Sequence, residues 1–180
     1  MIKKTKEDKI LIIVDMQNDF ITGTLANPDA QKIVQPLCDY IGKFDGRNIC
    51  CTRDTHQDNY LLTAEGKNLP IKHCVEGTPG WCLEENIRQA IVNAGYEPFY
   101  VNKNTFGFKD WDVLCMITRA NEIIMVGTCT DICVISNALI LKAVAPEAKI
   151  TVLEDLCAGL TKEKHEAALE VMRSCQIEVK

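Results

Sequence analysis

At 180 residues with 47% hydrophobic content, the chain has enough material for one sizeable core and is expected to form a single domain over residues 1–180. A net charge of −5, with acidic and basic residues interspersed, offers no basic stripe for nucleic acid and no polybasic membrane patch, so a small molecule or a protein is the expected partner. Ten cysteines in a chain this rich in core residues point to reduced thiols rather than a disulfide scaffold.

The charged opening segment 1–9 is followed by only five apolar residues before Asp15, too few for a signal-peptide core or a membrane span, which predicts a cytoplasmic protein. The first strand is expected at 10–14, and Asp15 follows it in Asp15-Met-Gln-Asn-Asp-Phe20. A carboxylate placed directly after an apolar strand enters the sheet's carboxyl edge and can serve there as a base, or cap the segment that follows. A helix is expected over 28–43 and a strand over 48–52, in which the adjacent Cys50 and Cys51 should face opposite sides. The stretch 52–81, rich in Gly, Pro and polar residues, is long for a connection in a compact domain, and such loops are usually functional. It holds Asp54-Thr-His56, then Glu65, then His73. Asp-x-His in an extended segment puts both side chains on one face, and a distant His73 can complete a set of oxygen and nitrogen metal ligands.

Helices over 83–94, 111–117, 131–144 and 162–174 alternate with strands at 98–101, 122–126, 149–153 and 176–179. This β-α alternation predicts an α/β, three-layer, Rossmann-like fold: a mostly parallel six-stranded sheet with helices on both faces. Lys103 stands just past the third strand. A strand end aiming its ammonium at a carboxylate and a thiolate would hold them near one another and orient the base. The segment Glu122-Ile-Ile-Met-Val-Gly-Thr-Cys-Thr-Asp-Ile-Cys133-Val reads as a buried strand, a glycine turn with N-cap candidates at 128–131, and a helix opening on Cys133. Amide hydrogens and the helix dipole at such an end favour a thiolate. A free cysteine is otherwise a small apolar core residue, so Cys133 needs partners before it implies chemistry. His165 lies in a charged helical stretch and reads as a surface or helix-packing residue.

Taken together, Asp15-Met-Gln-Asn-Asp-Phe, Lys103 after the third strand, and Gly127-Thr-x-Thr-Asp131-x-Cys133-Val resemble the isochorismatase-like cysteine hydrolases, which include the nicotinamidases. The resemblance runs in order through nearly the whole chain. It implies an Asp–Lys–Cys triad at Asp15, Lys103 and Cys133. It also implies a non-proline cis peptide at Thr128–Cys129 and an oxyanion hole from the backbone N–H groups of Cys129 and Cys133. It further implies a divalent metal at Asp54, His56 and His73, with Glu65 as an outer or water-bridged ligand. Zinc is the expected ion, with iron or manganese as alternatives, and it would bind the ring nitrogen of the substrate.

The chain departs from nicotinamidases that carry an aromatic residue shortly before a Pro-Pro-His segment, reading Asn68-Leu-Pro-Ile-Lys-His73 instead. Phe20, Phe106 and Phe108 stand as candidate pocket walls. The implied function is cleavage of the carboxamide of a small planar molecule, nicotinamide foremost, by a homo-oligomer, dimer or tetramer. Two rivals remain: a hydrolase of N-carbamoyl or ureido amides with a degenerate metal site, and a catalytically silent binding module on the same fold. Vinyl-ether hydrolysis of the isochorismatase type does not call for a cysteine nucleophile.

Overall fold

The structure, a computed structural model, describes residues 9–180, so all but the last residue of the charged opening segment lies outside the described residues. Strand β1 (Lys9–Val14) leads through the short helix α1 (Asn18–Ile21) and α2 (Pro28–Ile41) to β2 (Asn48–Asp54). Helices α3 (Ala64–Asn68) and α4 (Glu85–Asn93) precede β3 (Phe99–Lys103), and α5 (Cys115–Thr118) precedes β4 (Glu122–Thr128). The chain closes with α6 (Ile135–Val144), β5 (Lys149–Ala158), α7 (Lys162–Ser174) and β6 (Glu178–Val179).

The six strands form one sheet in the order β3-β2-β1-β4-β5-β6, with every neighbouring pair parallel. The direction of winding reverses between β1 and β4, and in open parallel sheets the crevice at such a reversal is where ligands bind. Ile10 to Val14 are wholly buried because both faces of the sheet are covered, which is why β1 reads as an unbroken apolar run. Its side chains alternate between two cores: Ile10, Ile12 and Val14 enter one, Leu11 and Ile13 the other. Cys50 and Cys51 divide in the same way, as expected.

One outer layer is α2 and α4. Asn27 caps α2 by accepting from the Asp29 N–H, Pro28 takes the first turn, and Ala30, Ile33, Leu37 and Ile41 form its buried stripe. The opposite layer is α6 and α7, which bury Ala138, Leu141, Leu169 and Met172. Each fully buried Leu, Ile or Met contributes about 1.5–3 kcal/mol relative to exposure.

Several boundaries differ from expectation. Strands β2, β3 and β4 each run two residues further than their apolar stretch, because the parallel ladder continues through polar rim residues such as Arg53 opposite Asn102 and Asp54 opposite Lys103. The helix expected at 111–117 divides into a single 3₁₀ turn, Trp111–Val113, and α5, with Leu114 extended between them. Strand β5 continues to Ala158 through a register shift against β4 at Met125 and Gly127. Strand β6 shrinks to two residues, since Gln176 turns at φ 63°. Among the described residues no helix is long and apolar enough to cross a membrane.

Candidate active site

Three adjacent strands bring a carboxylate, an ammonium and a second carboxylate to the sheet's carboxyl edge. Asp15 follows β1 at φ 48°, a left-handed turn that Asp tolerates better than most residues. Its N–H donates to Thr52 Oγ1 (3.2 Å), and the Thr52 hydroxyl donates to Asp15 Oδ1 (2.6 Å). The other oxygen, Oδ2, lies 2.6 Å from Lys103 Nζ, both side chains being fully buried. Lys103 ends β3, one lane beyond β2, and spans that lane to reach Asp15; Asp54 Oδ1, on the intervening strand, is 3.8 Å from the ammonium.

Cys133 completes the group. Its Sγ accepts from Lys103 Nζ at 3.7 Å, and the residue is buried. The turn that carries it is a wide π-helical one, Thr130–Val134, and the regular α6 begins only at Ile135. The cap candidates at 128–131 do not cap it. Thr128 donates to the Ala158 carbonyl (3.1 Å), the Thr130 hydroxyl pairs with His165 Nδ1 (2.8 Å), and Asp131 accepts from the Leu160 N–H (2.9 Å). These side chains tie the β5–α7 corner to the nucleophile turn, and His165 packs a helix as expected. The peptide between Thr128 and Cys129 is cis, at the expected position. Just before it, Gly127 (φ 120°) lies so close to β1 that a Cβ would strike the Val14 carbonyl.

Electrostatics set the protonation states. Burial pushes the Asp15 carboxyl up, against the pull of Lys103. Burial and the nearby Asp15 charge push the Cys133 thiol well above its ordinary value, and Lys103 offsets this only in part. Burial thus opposes the thiolate that a helix end alone would favour, and the π turn displaces that helix end. Burial opposes the Lys103 charge, but Asp15, Cys133 and Asp54 together hold its value above that of a free lysine.

Beside the triad, Asp54, His56, Glu65 and His73 bring one ligand atom each to within 4.8 Å of the others. His56 Nε2 is 2.9 Å from Asp54 Oδ2 and 3.6 Å from Glu65 Oε1; His73 Nε2 is 3.3 and 3.8 Å from the same atoms. Burial opposes the Asp54 charge, yet the two imidazoles and Lys103 hold its carboxyl far below the usual range. Two imidazole nitrogens and two carboxylates aimed at one buried point form a donor set that fits a borderline divalent cation.

Two residues that the sequence reading passed over hold this group. Gln17, fully buried, accepts from the Asp54 N–H (2.7 Å) and donates to the Asp54 and Trp81 carbonyls (2.9 Å each). Asp19 accepts from the Cys74 N–H (2.7 Å), next to His73, whose Nδ1 pairs with the Ile71 carbonyl (2.8 Å). The sequence signal for both was present as polar residues spaced two apart after Asp15. Asn137, one turn past Cys133, was also missed. Its Nδ2 donates to the Cys133 and Phe106 carbonyls (2.7 and 3.2 Å), and its Oδ1 accepts from the Phe108 N–H and Trp111 Nε1 (2.9 and 3.0 Å).

A cleft of about 830 Å³ opens from the metal-ligand group, with His56, Glu65, Tyr60, Ile132 and Phe106 in its walls. Of the three candidate wall aromatics, Phe106 lines this cleft, Phe20 lies against the His73 ring (centroids 5.8 Å apart), and Phe108 packs edge-on to Trp111 beside the core.

The family model for the Isochorismatase domain matches residues 9–179. The nicotinamidase/pyrazinamidase of Mycobacterium tuberculosis is 30% identical over 183 residues, covering 95% of this chain and 97% of that protein. Among solved structures, the pyrazinamidase of Pyrococcus horikoshii in complex with zinc is 28% identical with a TM-score of 0.78, covering 96% of this chain and 98% of that one. The pyrazinamidase/nicotinamidase of Streptococcus mutans is 26% identical with a TM-score of 0.83, covering 96% and 100%. Sequence and architecture thus agree that this chain belongs to the isochorismatase family, within its nicotinamidase-related group.

Proposed function

We propose that the protein hydrolyses nicotinamide to nicotinate and ammonia through a thioester on Cys133. The observation that carries this reading is Lys103 Nζ lying 2.6 Å from Asp15 and 3.7 Å from Cys133, beside a four-residue group suited to a cation. As Cys133 attacks the carboxamide carbon, Asp15 takes the thiol proton and Lys103 keeps both groups in place. The backbone N–H groups of Cys129 and Cys133 receive the developing oxyanion. Asp15 passes its proton to the amide nitrogen, the C–N bond breaks, and ammonia leaves. A water molecule then loses a proton to Asp15 as its oxygen attacks the thioester, and the sulfur departs to be reprotonated.

Asp54, His56 and His73, together with Glu65, would hold a zinc ion. When bound, it supplies a Lewis-acid anchor for the pyridine nitrogen of the substrate. The zinc-bound Pyrococcus horikoshii pyrazinamidase supports zinc over the other ions.

The same proposal covers a single domain, a cytoplasmic location and a homo-oligomer, dimer or tetramer, which light scattering on the eluting protein checks. The direct test of the reaction is ammonia release from nicotinamide. Wild-type protein should release it, and Cys133→Ala, with an unchanged circular dichroism spectrum, should not. Turnover by the variant would reject the nucleophile.

A further inference from the structure

A buried hydroxyl stands against the base. Thr52, wholly buried in β2, comes one step beyond the Ile13–Cys51 pair and so lies level with the end of β1, where the chain turns at Asp15. A hydroxyl has one hydrogen to give and two lone pairs to receive with. The Asp15 N–H donates to Thr52 Oγ1 at 3.2 Å, and Thr52 Oγ1 donates to Asp15 Oδ1 at 2.6 Å. For Oδ1 to carry a proton of its own, the hydroxyl would have to turn its hydrogen elsewhere. Among the described residues it has no second acceptor to turn to, and an unmet buried donor is costly.

Oδ1 therefore stays an acceptor, and a proton taken up by Asp15 goes to Oδ2. That oxygen lies 2.6 Å from Lys103 Nζ, and the same ammonium is 3.7 Å from Cys133 Sγ, so Oδ2 is the oxygen on the sulfur's side. One lone pair of Oδ2 meets the ammonium and the other remains for the proton. A proton held beside a fixed positive charge is readily released, which suits a group that must hand it on.

We infer that Thr52 is a positioning residue: by engaging Oδ1 it makes Oδ2 the one oxygen of Asp15 that receives the Cys133 proton and returns it to the departing nitrogen. The inference rests on the hydrolysis proposed above. The S–H bond breaks as the S–C bond forms and Oδ2 gains the hydrogen. That hydrogen passes to the amide nitrogen as the C–N bond breaks, so Asp15 ends ionised and Thr52 unchanged.

The test measures kcat and KM for nicotinamide on the alkaline plateau of the pH profile, where Asp15 is ionised in every variant. Thr52→Val keeps the branched shape and replaces the hydroxyl by a methyl group. It should lower kcat about tenfold, the weight of one hydrogen bond to a charged group, while KM moves less than about twofold. Thr52→Ser restores the hydroxyl and should bring kcat back to within about threefold of wild type. A packing role alone would do the opposite, since Ser lacks the methyl group that Val keeps. A kcat for Thr52→Val within about threefold of wild type, a change confined to KM, or Thr52→Ser as slow as Thr52→Val overturns the assignment. If Thr52→Val does not fold, Thr52→Ala is read by the same thresholds.

If wild-type protein does not hydrolyse nicotinamide, the parent reading has failed and iodoacetamide decides, because alkylation of Cys133 also needs Asp15 to take the thiol proton. Mass spectrometry of the Cys133 peptide should then show labelling about tenfold slower in Thr52→Val than in wild type or Thr52→Ser. Equal rates in wild type and Thr52→Val, zero included, overturn the inference.

Discussion

Lys103 is the residue on which the reaction centre turns. Its ammonium is the nearest opposite charge to a wholly buried carboxylate, and removing one partner of such a pair leaves the other uncompensated. Lys103→Met keeps most of the volume and should cost about 3–5 kcal/mol in urea unfolding at neutral pH. The sign of its pH dependence follows from Asp15, whose folded-state value is raised. A group raised on folding favours the folded state below its unfolded value and loses that contribution as pH rises, so the deficit of the variant should shrink toward acid. The same shift governs activity. Asp15 works as a base only when ionised, so the acid limb of kcat/KM should bend above the ordinary aspartate value of about 3.9. A limb at or below that value, or its survival in Asp15→Asn, would contradict the assignment.

At the scale of elements, the nucleophile turn is held by Asn137 rather than by a conventional cap. All of its hydrogen-bonding capacity toward Cys133, Phe106, Phe108 and Trp111 is used. Asn137→Ala would orphan those partners at about 1–3 kcal/mol for each one left buried, and should lower both the melting temperature and kcat. Asn137→Asp keeps the oxygen that accepts from Phe108 and Trp111 and should fall between the two. Gly127→Ala, facing the Val14 carbonyl from a positive φ, should destabilise the β1–β4 junction more than an alanine placed on the exposed face of α7.

Elements of this kind explain what was readable in advance. Apolar runs mark β1 and β4 because both their faces are covered, and the alternation of Cys50 and Cys51 follows from the pleat. The residues after those runs were legible as an acid, an amine and a sulfur. What escaped was whatever depends on distant partners. Examples are the extension of β2 and β3 by pairing rather than by hydrophobicity, the π turn before α6, and the diversion of Thr128, Thr130 and Asp131 from capping to tying down the β5–α7 corner. The direction of the Cys133 shift escaped for the same reason, since burial is a property of the assembled layers.

For the molecule as a whole, the long connection from β2 to α4 is joined to the rest through the ligand group. His56, Glu65 and His73 lie along it, and Gln17 and Asp19 grip it from the β1 side. An ion bound only by the folded form stabilises it by about 2.7 kcal/mol at a hundred times its dissociation constant. Stripping with a chelator should therefore lower the melting temperature together with nicotinamide turnover, and zinc should restore both. Protein that melts and works identically before and after stripping would remove the metal from the account.

The parallel sheet also has a far rim, where each helix hands the chain back to the next strand, as at residues 42–47 and 94–98. Every group invoked in the chemistry sits at the opposite rim. Evolution and engineering thus have two edges under unequal constraint, and a peptide spliced into the 94–98 corner should ride along as a passenger, its host still consuming substrate at the parental rate.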